Sequence, residues 1–367
     1  MTGRLLGCYP PGSTRPRLRL PRPPRGTIPL QGKKKFLARV GAGTGFTHLI
    51  ETLPKPASLL VLNYHRIGDA NRALYDSDEY SCTADDFDWQ IGRLKRRYPI
   101  VDLAKAVDIV HGRATAGAAS VLLTFDDGYR DNYDLAFPVL RAHGVSATFF
   151  LPTAFVGSDV LPWWDVVAAI VKNSSRTRVA LAYPEAAEFD LSVGRRDDSI
   201  RAMLKLAKRP SVTDRDRFIR ELAAACDAPR ATKSPERCFL NWDEAREMQK
   251  GGMRFGSHGH THEILSGIPH ARQVDELRTS RRILESELGR PIDTLAYPDG
   301  QLDTFNAETF KALEETGYTT AFSFSTGINI PGRIRPYNVL RGDVDGDDRA
   351  TFRLRVALRA ATRRELF

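Results

Sequence analysis

Two hydrophobic patterns alternate along most of this 367-residue chain. Short unbroken apolar runs recur at Leu59–Tyr64, Val121–Phe125 and Ala147–Leu151, and shorter ones around Phe255, Thr294–Tyr297 and Thr319–Phe322. Runs of that length without polar alternation fit strands covered on both faces, as in a parallel sheet. Between them, apolar residues three and four apart predict amphipathic helices. Thr83 reads as an N-cap ahead of Phe87, Ile91 and Leu94, after which Ile100-Val101 reads as a short strand. Leu103–Val110 ends at Gly112, Tyr133–His143 stops at Gly144, Val274–Leu288 ends before Gly289-Arg290-Pro291, and Phe305–Glu315 ends at Gly317. This rhythm predicts an α/β fold, an incomplete or distorted (β/α)7-type barrel.

Residues 158–240 break the rhythm. Pro162-Trp163-Trp164-Asp165 opens a helix over Val166–Val171, and polar sequence follows with helical stretches near Ser199–Ala207 and Arg215–Ala225. We read the segment as a helical insertion over one face of a barrel built from residues 33–157 and 241–345. Residues 346–367 read as a C-terminal helix with Phe352, Val356 and Leu358 apolar and six arginines around them.

The net charge of +9 resides in one end of the chain. Residues 1–50 hold ten Lys and Arg and no Asp or Glu, whereas the remainder holds 44 basic against 45 acidic residues. Residues 1–32, with seven prolines between Pro10 and Pro29, cannot build a core and read as a basic disordered arm or a mis-assigned start. No aromatic or recognition-fold pattern accompanies that arm, which argues against nucleic-acid binding. Contact with a membrane surface through the basic termini stays open. Four scattered cysteines, no signal-peptide core and no long apolar stretch fit a cytoplasmic protein with reduced thiols.

Chemistry concentrates in two places. Thr124-Phe125-Asp126-Asp127-Gly128 ends an apolar run, and adjacent carboxylates repel unless a cation lies between them or each has its own task. Gly256-Ser257-His258-Gly259-His260-Thr261-His262 follows a second strand end, and a helical turn there would put His258 and His262 on one face. One Asp with two His is a three-ligand set that leaves a position open for water, and the other Asp is then the candidate base. Zn²⁺ suits these donors best, and Co²⁺, Ni²⁺ or Fe²⁺ accept the same set. His65, Asp126, Asp127, His258, Pro298 and Asp299 all fall at strand C-terminal ends, where barrel enzymes gather their catalytic groups. A paired-carboxylate glycosidase is a poor fit, because its carboxyls stand about 5 Å or more apart. Non-haem iron oxygenases share the ligand set but are β-rich.

Thr124–Gly128, the His258/His262 pair and Tyr297-Pro298-Asp299-Gly300 resemble the successive motifs of the polysaccharide deacetylase family, also known as carbohydrate esterase family 4 or the NodB homology domain. The resemblance runs from about Leu59 to Arg341. It implies hydrolysis of N-acetyl groups, or O-acetyl groups, from an amino-sugar glycan or a lipid-linked sugar precursor. By the same resemblance Asp126 is the catalytic base and Asp127, His258 and His262 hold one divalent metal. His260 matches no ligand position and reads as a pocket residue, together with Tyr297 and Pro298. The backbone N–H of Asp299 is the expected oxyanion donor.

Two departures from the family pattern stand out. Ala296 occupies the place of the Arg that orients the base, for which Arg341 is the substitute at hand. No histidine follows His270, where many members carry the general acid. The Asn63-Tyr64-His65 strand end resembles the poly-N-acetylglucosamine deacetylase branch, whose permuted order implies His65 as the acid. Trp163 and Trp164 are candidates for stacking on sugar rings. A catalytically weak glycan-binding relative and an O-acetyl esterase are the alternative readings.

Overall fold

The computed structural model describes residues 45–361 apart from 210, 211, 213, 345 and 347. The basic arm expected over residues 1–32 and the final six residues of the expected C-terminal helix lie outside the described residues. Seven parallel strands make one curled sheet: β1 (Leu59–Tyr64), β2 (Ser120–Phe125), β3 (Thr148–Leu151), β4 (Arg254–Ser257), β5 (Thr294–Ala296), β6 (Thr320–Phe322) and β7 (Gly342–Asp343). They neighbour one another in chain order from β1 to β6, and β7 adds on the far side of β1. Strands β1, β2 and β3 are buried along their whole length, which is why they read as continuous apolar runs.

The gap between β6 and β1 is bridged by the segment leading into β7. Val339 exchanges backbone hydrogen bonds with Ala321 and Ser323 beside β6, and three residues later Gly342 pairs with Leu62 of β1. The distorted (β/α)7 barrel therefore comes round on itself through a strand too short to serve both neighbours at once. Ile100-Val101, expected as a strand, contributes a single bridge to Val121.

Outside the sheet lie α1 (Phe46–Thr52), α2 (Ala84–Arg97), α3 (Leu103–Val110), α4 (Phe137–His143), then α8 (Trp242–Lys250), α9 (His270–Leu288), α10 (Ala307–Glu315) and α11 (Arg349–Ala361), with α5–α7 between. Thr83 caps α2 by accepting from the Asp86 N–H. Gly144 and Gly289 end α4 and α9 in the left-handed conformation expected of such stops. A π-helical turn, Asn132–Ala136, precedes α4 directly after the Asp-Asp-Gly motif. Phe352 and Val356 of α11 enter the barrel core, whereas Leu358, the other apolar residue named in that helix, stays 38% exposed. No described helix is long and apolar enough to cross a membrane.

The insertion carries α5 (Trp163–Asn173), α6 (Arg196–Ala207) and α7 (Arg215–Cys226). It also contains a feature the polar sequence concealed, an antiparallel hairpin of Arg178–Leu181 with Ala187–Asp190. Ile170, Met203, Phe218 and Leu222 form a core separate from that of the barrel. Returning from the insertion, residues 238–240 run along the loop after β2: Arg130 N–H donates to Cys238 O and Leu240 N–H to Gly128 O, at 2.7 and 2.9 Å.

Candidate metal centre

Asp126 and Asp127 leave the end of β2 in different directions because the chain turns sharply between them. Asp127 and Gly128 both adopt left-handed backbone, with φ of 68° and 67°, and the Gly128 N–H donates back to Asp126 O. A Cβ on Gly128 would stand 2.6 Å from the Leu151 side chain, so glycine is required there twice over. His262 and Asp299 are also non-glycine residues with positive φ, at 60° and 62°. Three such residues at one barrel mouth mark backbone held in an unfavourable region by its surroundings.

Asp126 is held by a polar network at the base of the cleft. Arg341 Nη1 donates to Asp126 Oδ1 at 2.8 Å and to Asn63 Oδ1 at 2.7 Å, while Asn63 Nδ2 donates to Asp126 Oδ2 at 3.1 Å. Thr124 Oγ1 donates to Asn63 Oδ1, and Arg341 Nε donates to Ser323 O. Arg341 is 1% exposed. Burial alone would raise the Asp126 pKa, but the guanidinium beside it holds the carboxyl below its ordinary range. The expected substitute for the missing Arg thus lies beside Asp126.

Asp127 faces the imidazoles. Its Oδ1 is 3.3 Å from His262 Nε2 and 3.5 Å from His258 Nε2, and these three ligand atoms lie within 4.8 Å of one another. Desolvation opposes its charge, yet His262 and His258 hold the carboxyl well below the usual range. His258 Nδ1 donates to Ala296 O at 2.7 Å, which leaves Nε2 with its lone pair directed at Asp127. Burial pushes His258 down to about 4, so it is neutral at ordinary pH. Among the described residues, Asp127 Oδ1 and His262 Nδ1 are buried without a hydrogen-bond partner. A buried carboxylate oxygen with no hydrogen-bond partner, facing two imidazole nitrogens, has the donor chemistry of a divalent-cation site.

The His258–His262 stretch is not the helical turn expected from the spacing; it is an irregular loop. Gly259 takes φ of 75°, and buried Glu276 of α9 accepts from the His260 and Thr261 N–H groups and from Thr261 Oγ1 at 2.7–3.0 Å. Glu276 satisfies amides that a helix would have paired internally, and the loop still brings both rings to one side, 4.7 Å apart. His260 turns away, its Nδ1 2.9 Å from Thr153 Oγ1, and Pro298 packs beside Gly259.

Other expected pocket residues separate. Tyr297 is 1% exposed, stacks on Phe305 at 4.1 Å and donates to Tyr337 O, so it belongs to the core, not to a substrate pocket. Trp164, expected as a sugar platform, is 4% exposed and turned inward against His262; Trp163 is half-buried with the Arg215 guanidinium over its ring. Asp299 is bound by Lys208 at the end of α6, Nζ to Oδ1 2.6 Å. His65 sits edge-on to Phe324 at 5.8 Å, and a ligand atom of its ring lies within 4.8 Å of Asp127 and Glu79.

Glu79 and Glu276 leave no mark in the sequence. Desolvation, reinforced by Asp127 and opposed by His65, pushes Glu79 up to about 8. Neither sits in a motif, and Glu276 falls among the polar positions of an amphipathic helix, so no local signal distinguishes them. Asn63 does leave a trace, as the polar residue in an otherwise apolar β1.

Comparison with known proteins bears on the family and the fold. The family model described as polysaccharide deacetylase matches residues 113–178 and 221–321. YxkH of Bacillus subtilis (strain 168), whose name assigns it to the polysaccharide deacetylases, is 22% identical over 273 residues, 74% of this chain and 67% of its own. Among solved structures, IcaB from Ammonifex degensii aligns with a TM-score of 0.54 at 19% identity, over 85% of this chain and all of IcaB. The Streptococcus pyogenes deacetylase PplD in complex with acetate aligns at 0.53 and 16% identity, over 82% of this chain and 99% of PplD. At these identities the structural likenesses concern the fold alone.

Proposed function

As the chain belongs to the polysaccharide deacetylase family, we propose that it is a metal-dependent hydrolase removing acetyl groups, N-acetyl foremost, from an amino-sugar glycan or a lipid-linked sugar precursor. The observation that carries this reading is the buried, donor-free Asp127 Oδ1 between two imidazole Nε2 atoms, next to an Asp126 carboxylate held by Arg341. A divalent ion held by Asp127, His258 and His262, Zn²⁺ by donor type with Co²⁺, Ni²⁺ or Fe²⁺ suited to the same set, would polarise the acetyl carbonyl and acidify water there.

The chain's own groups divide the remaining work. Asp126, ionised and oriented by Arg341 and Asn63, accepts the proton of the attacking water. The Asp299 N–H is the donor for the developing oxyanion. His65 returns a proton to the leaving amine. The Arg341 contact favours this reading over the glycan-binding alternative, since it restores the base-orienting cation that Ala296 lacks. Trp163 at the rim is the remaining sugar-stacking candidate, and the reaction is assigned to the cytoplasm, with the basic termini as a membrane-surface contact.

Acetate release from N-acetylated glucosamine oligomers and from O-acetylated sugars, with and without chelator, tests the proposal. Chelator-sensitive release from the N-acetylated set is expected. Release only from the esters selects the O-acetyl esterase reading, and no release from either selects the glycan-binding one.

A further inference from the structure

The two candidate histidine ligands are oriented by unlike means. His258 follows the common arrangement, in which the second ring nitrogen donates to a fixed oxygen, here Ala296 O at 2.7 Å. His262 Nδ1 is buried and has no such partner among the described residues. What touches the His262 ring instead is the indole of Trp164, with centroids 4.5 Å apart and planes inclined at 54°. That indole is itself anchored at several points. Trp164 Nε1 donates to Tyr129 Oη at 2.8 Å, and Tyr129 Oη donates to Asp165 Oδ2 at 2.9 Å. Phe155 and Trp163 meet the indole edge-on, and Tyr129 stacks on Phe239 at 4.9 Å. Trp164 and Asp165 open α5 of the insertion, whereas Tyr129 lies two residues beyond Asp127.

We infer that Trp164 is the positioning residue for His262: the insertion sets the geometry of the metal centre through an aromatic face where a hydrogen bond would ordinarily do so. The inference rests on the assignment of Asp127, His258 and His262 as a metal site. An aromatic wall restrains the plane of an imidazole without fixing which nitrogen carries the proton, and its negative face favours the partial positive charge a ring gains on ligating a cation. The anchor also ties the insertion to the catalytic loop, since Tyr129 belongs to the stretch that residues 238–240 run beside.

The test is Zn²⁺ and Co²⁺ affinity, measured by competition with a chromophoric chelator, in the full chain and in Trp164→Phe, Trp164→Leu and Tyr129→Phe. Supporting partners of ligand histidines typically contribute about 10–100-fold to metal affinity. Trp164→Leu should therefore bind about tenfold or more weakly, and Trp164→Phe, which keeps an aromatic face, should recover most of that loss. Tyr129→Phe removes only the hydroxyl anchor; it should weaken binding by a smaller factor and change the Co²⁺ ligand-field spectrum, so the question stays decidable if Trp164→Leu does not fold. Wild-type affinity and an unaltered Co²⁺ spectrum in Tyr129→Phe, or equal loss in Trp164→Phe and Trp164→Leu, would overturn the inference while leaving the metal site standing. A full chain that binds neither ion would remove the metal site as well.

Discussion

On the barrel side of the cleft both oxygens of Asp126 have a donor, whereas on the side facing the insertion Asp127 Oδ1 and His262 Nδ1 are buried with none. The two carboxylates are adjacent in the chain and share one mouth, yet they solve the problem of buried charge differently. Around Asp126 the protein supplies the counter-charge itself, through Arg341, and both carboxylate oxygens are paired without a ligand, although Arg341 Nη2 is buried with no partner. Around Asp127 the protein assembles lone pairs and leaves them facing one another, at a cost of about 1–3 kcal/mol per unsatisfied polar group. A ligand that accepted those electron pairs would offset the cost, so this is the side on which the proposed cation would sit.

The largest expected effect separates the two sides chemically. Asp126→Asn keeps the shape and, with its single carbonyl oxygen, one of the two donor contacts, but removes the proton acceptor, so turnover should fall by about 10²–10⁴-fold. Metal content, read by elemental analysis, should stay at the wild-type level. Near-normal turnover would mean that the carboxylates are not divided between base and ligand as the geometry suggests.

Next in size is the cost of dismantling the Asp126 network. Arg341→Met leaves Asp126 buried without its counter-ion, and breaking a buried pair in this way typically costs about 3–5 kcal/mol. Chemical denaturation should register that loss in the metal-free protein too, since no ion takes part in the Asp126 network. A change below about 1 kcal/mol would show that water, not Arg341, stabilises the carboxylate.

A smaller effect belongs to the unfinished side and appears with pH. Burial holds His258 at about 4 against an ordinary 6.5. As pH falls the unfolded chain takes up that proton first, so the stability is fully present above about 6.5 and is lost on the way down through pH 4. Thermal melts of chelator-treated protein should show the decline, and His258→Gln should flatten it. An identical profile in the variant would assign the acid sensitivity elsewhere.

The residues legible in the sequence are those whose chemistry is packed into a few consecutive positions. Asp126-Asp127-Gly128 declares a strand end, a turn and two carboxylates within one short span, and His258 and His262 lie close enough that either a helix or a loop brings them together. The apolar runs of β1 to β3 announce a buried parallel sheet in the same way, because burial on both faces leaves a strand no polar alternation. Arg341, by contrast, is one candidate among several arginines in the chain. Its contact with Asp126 spans 215 residues and exists because Val339–Asp343 closes the gap between β6 and β1.

Glu276, Glu79 and the inward face of Trp164 lie wholly beyond local patterns. Each is an ordinary residue in its own segment, and each meets a neighbour brought in by the fold: the His260 and Thr261 amides for Glu276, His65 and Asp127 for Glu79, and His262 for Trp164. Motif chemistry is short-range and survives in the order of amino acids. The orientation of that chemistry depends on which distant side chains share a dry, close-packed space, and only the closed barrel and its insertion decide that.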